Sequence, residues 1–125
     1  MIRRVPSLFA LIALTGASAF ATEDAVKIVS VPKEQRVAAT VTLLTDSGTT
    51  GRSSPIYKGY RPQVRFSAEK EVVSCALGLP DEKMEPGETA SVTLKCIEGF
   101  KVRSDKLEFD MFEGGRKVGR GVLHP

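Results

Sequence analysis

The chain has 125 residues, 42% hydrophobic and 26% charged, a composition typical of one folded domain. Its formal net charge is +3. Two cysteines and one histidine cannot form a four-ligand zinc site of the usual kind, and 6% aromatic residues without tryptophan argue against a base-stacking platform. No catalytic constellation is present, so we expect neither an enzyme nor a bound cofactor.

The first 21 residues have the pattern of a secretory signal peptide. Two arginines precede an apolar run over residues 8–14, and Ala-Phe-Ala at residues 19–21 places small side chains where signal peptidase reads them. A cut after Ala19 is the alternative. The apolar run is shorter than the roughly 20 residues of a membrane-spanning helix. We therefore expect cleavage before Thr22, export to the periplasm or the medium, and no membrane insertion afterwards.

Cleavage would leave a nearly neutral chain. The signal segment holds two of the 18 basic residues and no acid, so 16 basic and 15 acidic side chains remain in residues 22–125. Non-specific nucleic-acid binding needs a clear cationic excess, so the near-neutral charge argues against nucleic acid as a partner.

Alternation of apolar and polar residues predicts strands in the remaining chain. We predict strands over residues 26–31, 36–43, 62–66, 90–96, 106–112 and 116–123. Residues 68–77 combine a charged helix-favouring run with two valines, and we assign them to a further strand. Many short strands separated by turn residues predict an all-β fold, either an antiparallel sandwich or a small closed barrel. We divide the chain into a signal peptide (1–21), a lead-in segment (22–35) and a β-barrel domain (36–125).

Three motifs lie on this strand map. They are YRPQ at residues 60–63, PGE at residues 86–88, and EGGRKVGRGV at residues 113–122. In this order they resemble the third, C-terminal β-barrel domain of elongation factor Tu, where the last run reads EGGRTVGAGV. The matching residues are Tyr60, Arg61, Pro62, Gln63, Pro86, Gly87, Glu113, Gly114, Gly115, Arg116, Val118, Gly119 and Gly121. The resemblance covers nearly the whole mature chain and implies a closed six-stranded antiparallel barrel.

Departures from the family limit the function that the resemblance implies. The chain has no counterpart of the GTP-binding domain. Gly114 and Gly119 have the glycine spacing of a phosphate-binding loop, but Arg120 and Gly121 follow where such a loop has a lysine and a serine or threonine. The threonine-rich segment that helps the family contact tRNA is replaced by Ser-Ala-Glu-Lys-Glu at residues 67–71, whose acids repel phosphates. We expect no GTP binding and no delivery of tRNA.

Cys75 and Cys96 are the only cysteines. In an oxidising compartment an even number of cysteines favours a disulfide, while two separate buried thiols are the alternative. Their spacing is not that of a C-x-x-C redox pair. The strand pattern places the neighbours of both cysteines on the same inward side as the sulfurs: Val73, Leu77, Val92 and Leu94.

Phe112, Arg116 and Arg120 form the candidate partner-binding site. Inward residues at 107, 109 and 111 send Phe112 to the outer face, and an outward aromatic beside cations is typical of a binding hot spot. In the alternative, the strand ends at Met111, Phe112 folds under the following turn and Arg120 lies at a glycine bulge. The single histidine, His124, is expected in a solvated tail.

The sequence therefore predicts a non-enzymatic exported barrel module. Its partner would be an envelope or extracellular protein, a glycan or a second copy of the chain. The alternative function is a domain like that of elongation factor Tu that retains nucleic-acid (tRNA) or translation-factor binding.

Overall fold

The computed structural model describes residues 25–67 and 69–125, and within them the chain forms ten strands and no helix. The strands are β1 (Ile28–Val31), β2 (Arg36–Leu43), β3 (Ile56–Tyr57), β4 (Gln63–Phe66), β5 (Val73–Gly78), β6 (Lys83–Met84), β7 (Thr89–Cys96), β8 (Phe100–Arg103), β9 (Glu108–Glu113) and β10 (Arg116–His124). The predicted signal peptide lies outside the described residues.

Six strands close into an antiparallel barrel in the order β10-β2-β7-β5-β4-β9. This confirms the predicted all-β fold and its closed six-stranded form. Each barrel strand overlaps a predicted one, and the ambiguous stretch at residues 68–77 supplies β5 in its second half. Because the sheet closes on itself, none of these six strands is left with an unpaired edge.

Two short ribbons lie outside the barrel. The predicted strand of the lead-in segment, β1, pairs with β8, and β3 pairs with β6. Strands β3 and β6 have two residues each, too few to show an alternating pattern. Neither these two strands nor β8 was predicted from the sequence. The Phe100 ring of β8 stacks on Phe66 of the barrel with 4.0 Å between ring centroids, which joins the first ribbon to the core.

The barrel interior is filled by the alternate residues of its strands. In β2 these are Val37, Ala39, Val41 and Leu43, which are all buried. The predicted inward residues of β9, Phe109 and Met111, are buried as well. A barrel of six strands is narrow enough for side chains to fill it, so its interior is a packed core.

Two glycines of the last motif make room for these large side chains. A Cβ atom at Gly119 would lie 2.5 Å from the Met111 methyl carbon, and one at Gly121 would lie 2.4 Å from the Phe109 ring. The pairing of β9 and β10 also shifts by one residue between Lys117 and Gly119, which is a β-bulge. Gly119 and Gly121 therefore serve interior packing.

Cys75 and Cys96 form the predicted disulfide. They are opposite each other in the register of β5 and β7, with their Cα atoms 3.9 Å apart. Both cysteines are buried in the core, together with Leu77, Val92 and Leu94, while Val73 is partly buried against it. The predicted inward side of both strands is thus confirmed.

Candidate functional site

Phe112 lies on the outer face of the barrel. Strand β9 continues through Glu113, so the residue stays within the strand and does not fold under the turn. Its register partners are Gln63 on β4 and Lys117 on β10. The guanidinium carbon of Arg65 lies 4.7 Å from the centroid of the half-buried Phe112 ring, a cation–π contact.

Charged side chains surround this ring. Asp110 precedes Phe112 on the same face, and its register partners are Arg65 and Arg120. The ammonium of Lys117 lies 3.0 Å from an Asp110 carboxylate oxygen, whereas Arg120 is exposed. We call this surface the Phe112 face and define it by Gln63, Arg65, Asp110, Phe112, Lys117 and Arg120. Three cations and one carboxylate give it a net positive charge.

Sequence reasoning did not include Arg65 and Lys117 in the site. Alternation within β4 could have placed Arg65 outward, but its position beside Phe112 depends on the barrel order, in which β4 and β9 are neighbours. The bulge at Val118 and Gly119 lies directly before Arg120, as the alternative interpretation of that residue expected. Arg120 thus adjoins a bulge and is exposed on the Phe112 face.

Arg116 is engaged elsewhere. Its guanidinium donates hydrogen bonds to the carbonyl oxygens of Gly48, Thr50 and Gly51 at 3.2, 3.0 and 2.8 Å, and to an Asp46 carboxylate oxygen at 2.9 Å. These contacts fasten the loop between β2 and β3 to the start of β10. The structure therefore separates Arg116 from the Phe112 face and makes it a loop anchor.

Glu113 joins the same loop to the barrel. The Tyr60 hydroxyl donates a hydrogen bond of 2.6 Å to its carboxylate, and Arg52 forms a salt bridge with the same oxygen. Partial burial, followed by the hydrogen bond and charge of Glu113, raises the pKa of Tyr60 well above its ordinary value, although Arg52 opposes this shift. Tyr60 is therefore a protonated structural donor at neutral pH.

The loop and these side chains border an open polar cleft of about 370 Å³. Its lining residues are Asp46, Gly48, Gly51, Arg52, Ser53, Ser54, Glu113 and Arg116. The two arginines of the cleft are matched by two carboxylates, and they donate to backbone carbonyls as well. The cleft is thus a balanced polar cluster that holds the loop.

The remaining motif residues also have structural roles. Gly114 and Gly115 have φ angles of 53° and 86°, as the two central residues of a type I′ hairpin turn require. Pro62 is fully buried, and the Gly87 amide donates a 2.6 Å hydrogen bond to the Leu43 carbonyl. Arg61 and Gln63 are exposed, and Gln63 belongs to the Phe112 face.

His124 is exposed, as expected, but it does not lie in a frayed tail. Strand β10 extends to His124, which is the register partner of Ala38 on β2. Its Nε2 atom lies 2.8 Å from the Thr40 hydroxyl, within hydrogen-bond distance. Pairing with β2 orders the end of the chain.

A search of residues 25–67 and 69–125 finds no group of three or more His, Cys, Asp or Glu side chains arranged to hold a metal ion. In the same residues no helix is long and apolar enough to cross a membrane. No protein-family model matches the chain. The barrel is therefore established by its strand pairing, and the likeness to elongation factor Tu rests on the motif residues.

Proposed function

We propose that the protein is an exported, non-enzymatic binding module that uses the Phe112 face to bind an envelope or extracellular partner. The partner is a protein, a glycan or a second copy of the chain. The observation that carries the proposal is the Phe112 ring, held on the outer barrel face under the Arg65 guanidinium with the exposed Arg120 nearby.

The outward side chains of the Phe112 face contribute little to the packing of the barrel. The inward residues of β9 and β10 contribute to the core, while Phe112 and Arg120 point away from it. Aromatic and arginine side chains contribute most to binding energy when a partner removes them from water. A partner that presents an apolar centre ringed by acceptors or carboxylates fits this face best.

The barrel is proposed to be of the kind found at the C-terminus of elongation factor Tu, on the strength of the YRPQ and EGGR motifs. Retention of tRNA or translation-factor binding is the second candidate function, and only that resemblance favours it. The near-balanced charge of residues 22–125 and the acids at residues 69 and 71 oppose it. Binding of tRNA with micromolar affinity at physiological salt would favour the second candidate, as would stabilisation by GTP.

The test compares two double variants, each of which replaces an aromatic residue by an acid and reverses the charge of one cation. The double variant Phe112→Asp/Arg120→Glu should fold, since both side chains lie outside the core, and should lose capture of the partner from the envelope fraction. A matched control is Tyr57→Asp/Lys106→Glu, which changes an exposed aromatic and an exposed cation elsewhere. Cross-linking followed by mass spectrometry identifies the partner, and titration with the purified partner measures the loss.

Unchanged affinity in a folded Phe112→Asp/Arg120→Glu variant would exclude the Phe112 face as the binding site. An equal loss of affinity in the test variant and the control variant would show that partner capture depends on general surface charge. Export is tested separately by intact-mass measurement of the exported protein. That protein should begin at Thr22, and a product that keeps residues 1–21 would contradict the proposed location.

A further inference from the structure

A second charged groove lies on a different part of the barrel surface, across β2, β7 and β5. It has a volume of about 170 Å³ and is lined by Arg36, Arg61, Ala76, Leu77, Gly78, Thr93 and Lys95. Three of these residues are cations and none is an acid. The polar cleft described above differs, because its two arginines face two carboxylates.

The strand register holds two of the three cations of this groove close together. Arg36 on β2 is directly opposite Lys95 on β7, which places their Cβ atoms about 5 Å apart. Like charges at such positions destabilise a sheet. The nearest carboxylate to Lys95 is that of Glu34, at 3.8 Å and in an exposed position. Among residues 25–67 and 69–125, the guanidinium groups of Arg36 and Arg61 form no salt bridge.

The floor of the groove is open because its residues are small. Ala76 is the register partner of Lys95, and Gly78 is the register partner of Thr93. A Cβ atom at Gly78 would lie 2.2 Å from the Thr93 hydroxyl oxygen, so only glycine leaves that hydroxyl in its place. The groove thus combines three cationic donors with a hydroxyl group at its floor.

We propose that this groove binds closely spaced phosphate groups. Two guanidinium groups and an ammonium supply charge-assisted hydrogen bonds to phosphate oxygens, and Thr93 supplies a neutral one. A bound phosphate would also neutralise the repulsion between Arg36 and Lys95. The site is separate from the Phe112 face and does not depend on the function proposed for that face.

The experiment uses inorganic tripolyphosphate as the probe and the purified, disulfide-bonded protein at low salt. We expect saturable shifts of the amide resonances of Ala76, Gly78 and Thr93. The triple variant Arg36→Gln/Arg61→Gln/Lys95→Gln should weaken binding by at least about tenfold. The matched control Lys27→Gln/Lys101→Gln/Lys106→Gln removes the same charge at exposed positions outside the groove and should change affinity by less than about twofold.

The Phe112→Asp variant separates this proposal from the previous one, because it should keep tripolyphosphate binding even if it loses the partner. A second arm uses phosphatidylcholine vesicles with and without phosphatidylglycerol. Loss of vesicle binding in the Arg36→Gln/Arg61→Gln/Lys95→Gln variant would identify a lipid headgroup as the source of the phosphate. Binding of tripolyphosphate without any vesicle binding would identify a soluble phosphate compound. The proposal is overturned by the absence of binding in both arms, by equal loss in the control variant, or by shifts centred on Phe112.

Discussion

The absence of a side chain at Gly121 leaves room for the Phe109 ring in the barrel interior. A Cβ atom at this position would lie 2.4 Å from the Phe109 ring and 2.8 Å from the Thr40 carbonyl oxygen. Neither neighbour can move aside easily, since one is a rigid ring and the other is backbone. We expect Gly121→Ala to lower the free energy of unfolding by about 1–3 kcal/mol, measured by urea denaturation.

Gly119→Ala is the comparison for that variant. The atom closest to a Cβ at position 119 is the terminal methyl carbon of Met111, whose flexible side chain can change rotamer. The loss should therefore be smaller at Gly119 than at Gly121. If the two losses were equal, the rigidity of the Phe109 ring would not be the cause.

The contribution of Tyr60 to the free energy of unfolding decreases at alkaline pH. Its folded-state pKa lies above the unfolded value of about 10, mainly because of partial burial and its hydrogen bond to Glu113. The folded state therefore retains a proton that the unfolded state loses, so this contribution to stability is complete below pH 10 and declines as pH rises above it. Tyr60→Phe should be less stable at pH 8, and its difference from the natural protein should shrink toward pH 11.

Urea denaturation at several pH values measures this difference. Tyr57→Phe is the control, because the Tyr57 side chain is exposed, and it should leave the alkaline decline unchanged. A gap between the natural protein and Tyr60→Phe that stayed constant from pH 8 to pH 11 would contradict the role given to the Tyr60 proton.

At the scale of elements, the loop between β2 and β3 depends on Arg116. The Gly51 amide donates to the Lys117 carbonyl and the Arg52 amide donates to the Leu44 carbonyl, so both report on loop docking. Arg116→Ala should speed hydrogen exchange at these two amides and leave the barrel amides protected. Arg120→Ala, on the same strand but exposed, should leave the loop unchanged. Residue-resolved amide hydrogen exchange distinguishes local release of the loop from destabilisation of the whole barrel.

At the scale of the whole molecule, the disulfide constrains the unfolded chain. It closes a loop with a sequence separation of 21 residues, for which the chain-entropy model gives about 3 kcal/mol. Reduction should lower the melting temperature without changing the circular dichroism of the folded state at 25 °C. Both cysteines are buried, so reduction should proceed through an opening of the barrel.

A Cys75→Ala/Cys96→Ala variant provides the control, because its melting temperature should not respond to reductant. A natural protein that melts at the same temperature with and without reductant, after complete reduction, would show that the bond does not contribute to stability.

Local periodicity predicted five of the six barrel strands, and β5 was assigned from two valines in an ambiguous stretch. Alternate residues of a strand face the same side, so Val37, Ala39, Val41 and Leu43 mark an inward face without knowledge of any partner. The same rule placed Cys75 and Cys96 in the core and Phe112 outside it. These inward and outward placements agree with the structure because each strand of a small barrel turns one face toward the core.

Contacts between segments that are distant in the sequence could be identified only from the tertiary structure. Arg116 and the loop residues it binds are separated by 65 or more positions, and Arg65 meets Phe112 only because β4 and β9 are barrel neighbours. The same holds for the three cations of the groove: Arg36 on β2, Lys95 on β7 and Arg61 in the segment before β4 belong to no common motif. The sequence by itself thus determined which side chains face inward, through the two-residue period of a strand. Barrel closure and register decided which outward side chains meet, because these pairings depend on the geometry of the entire chain.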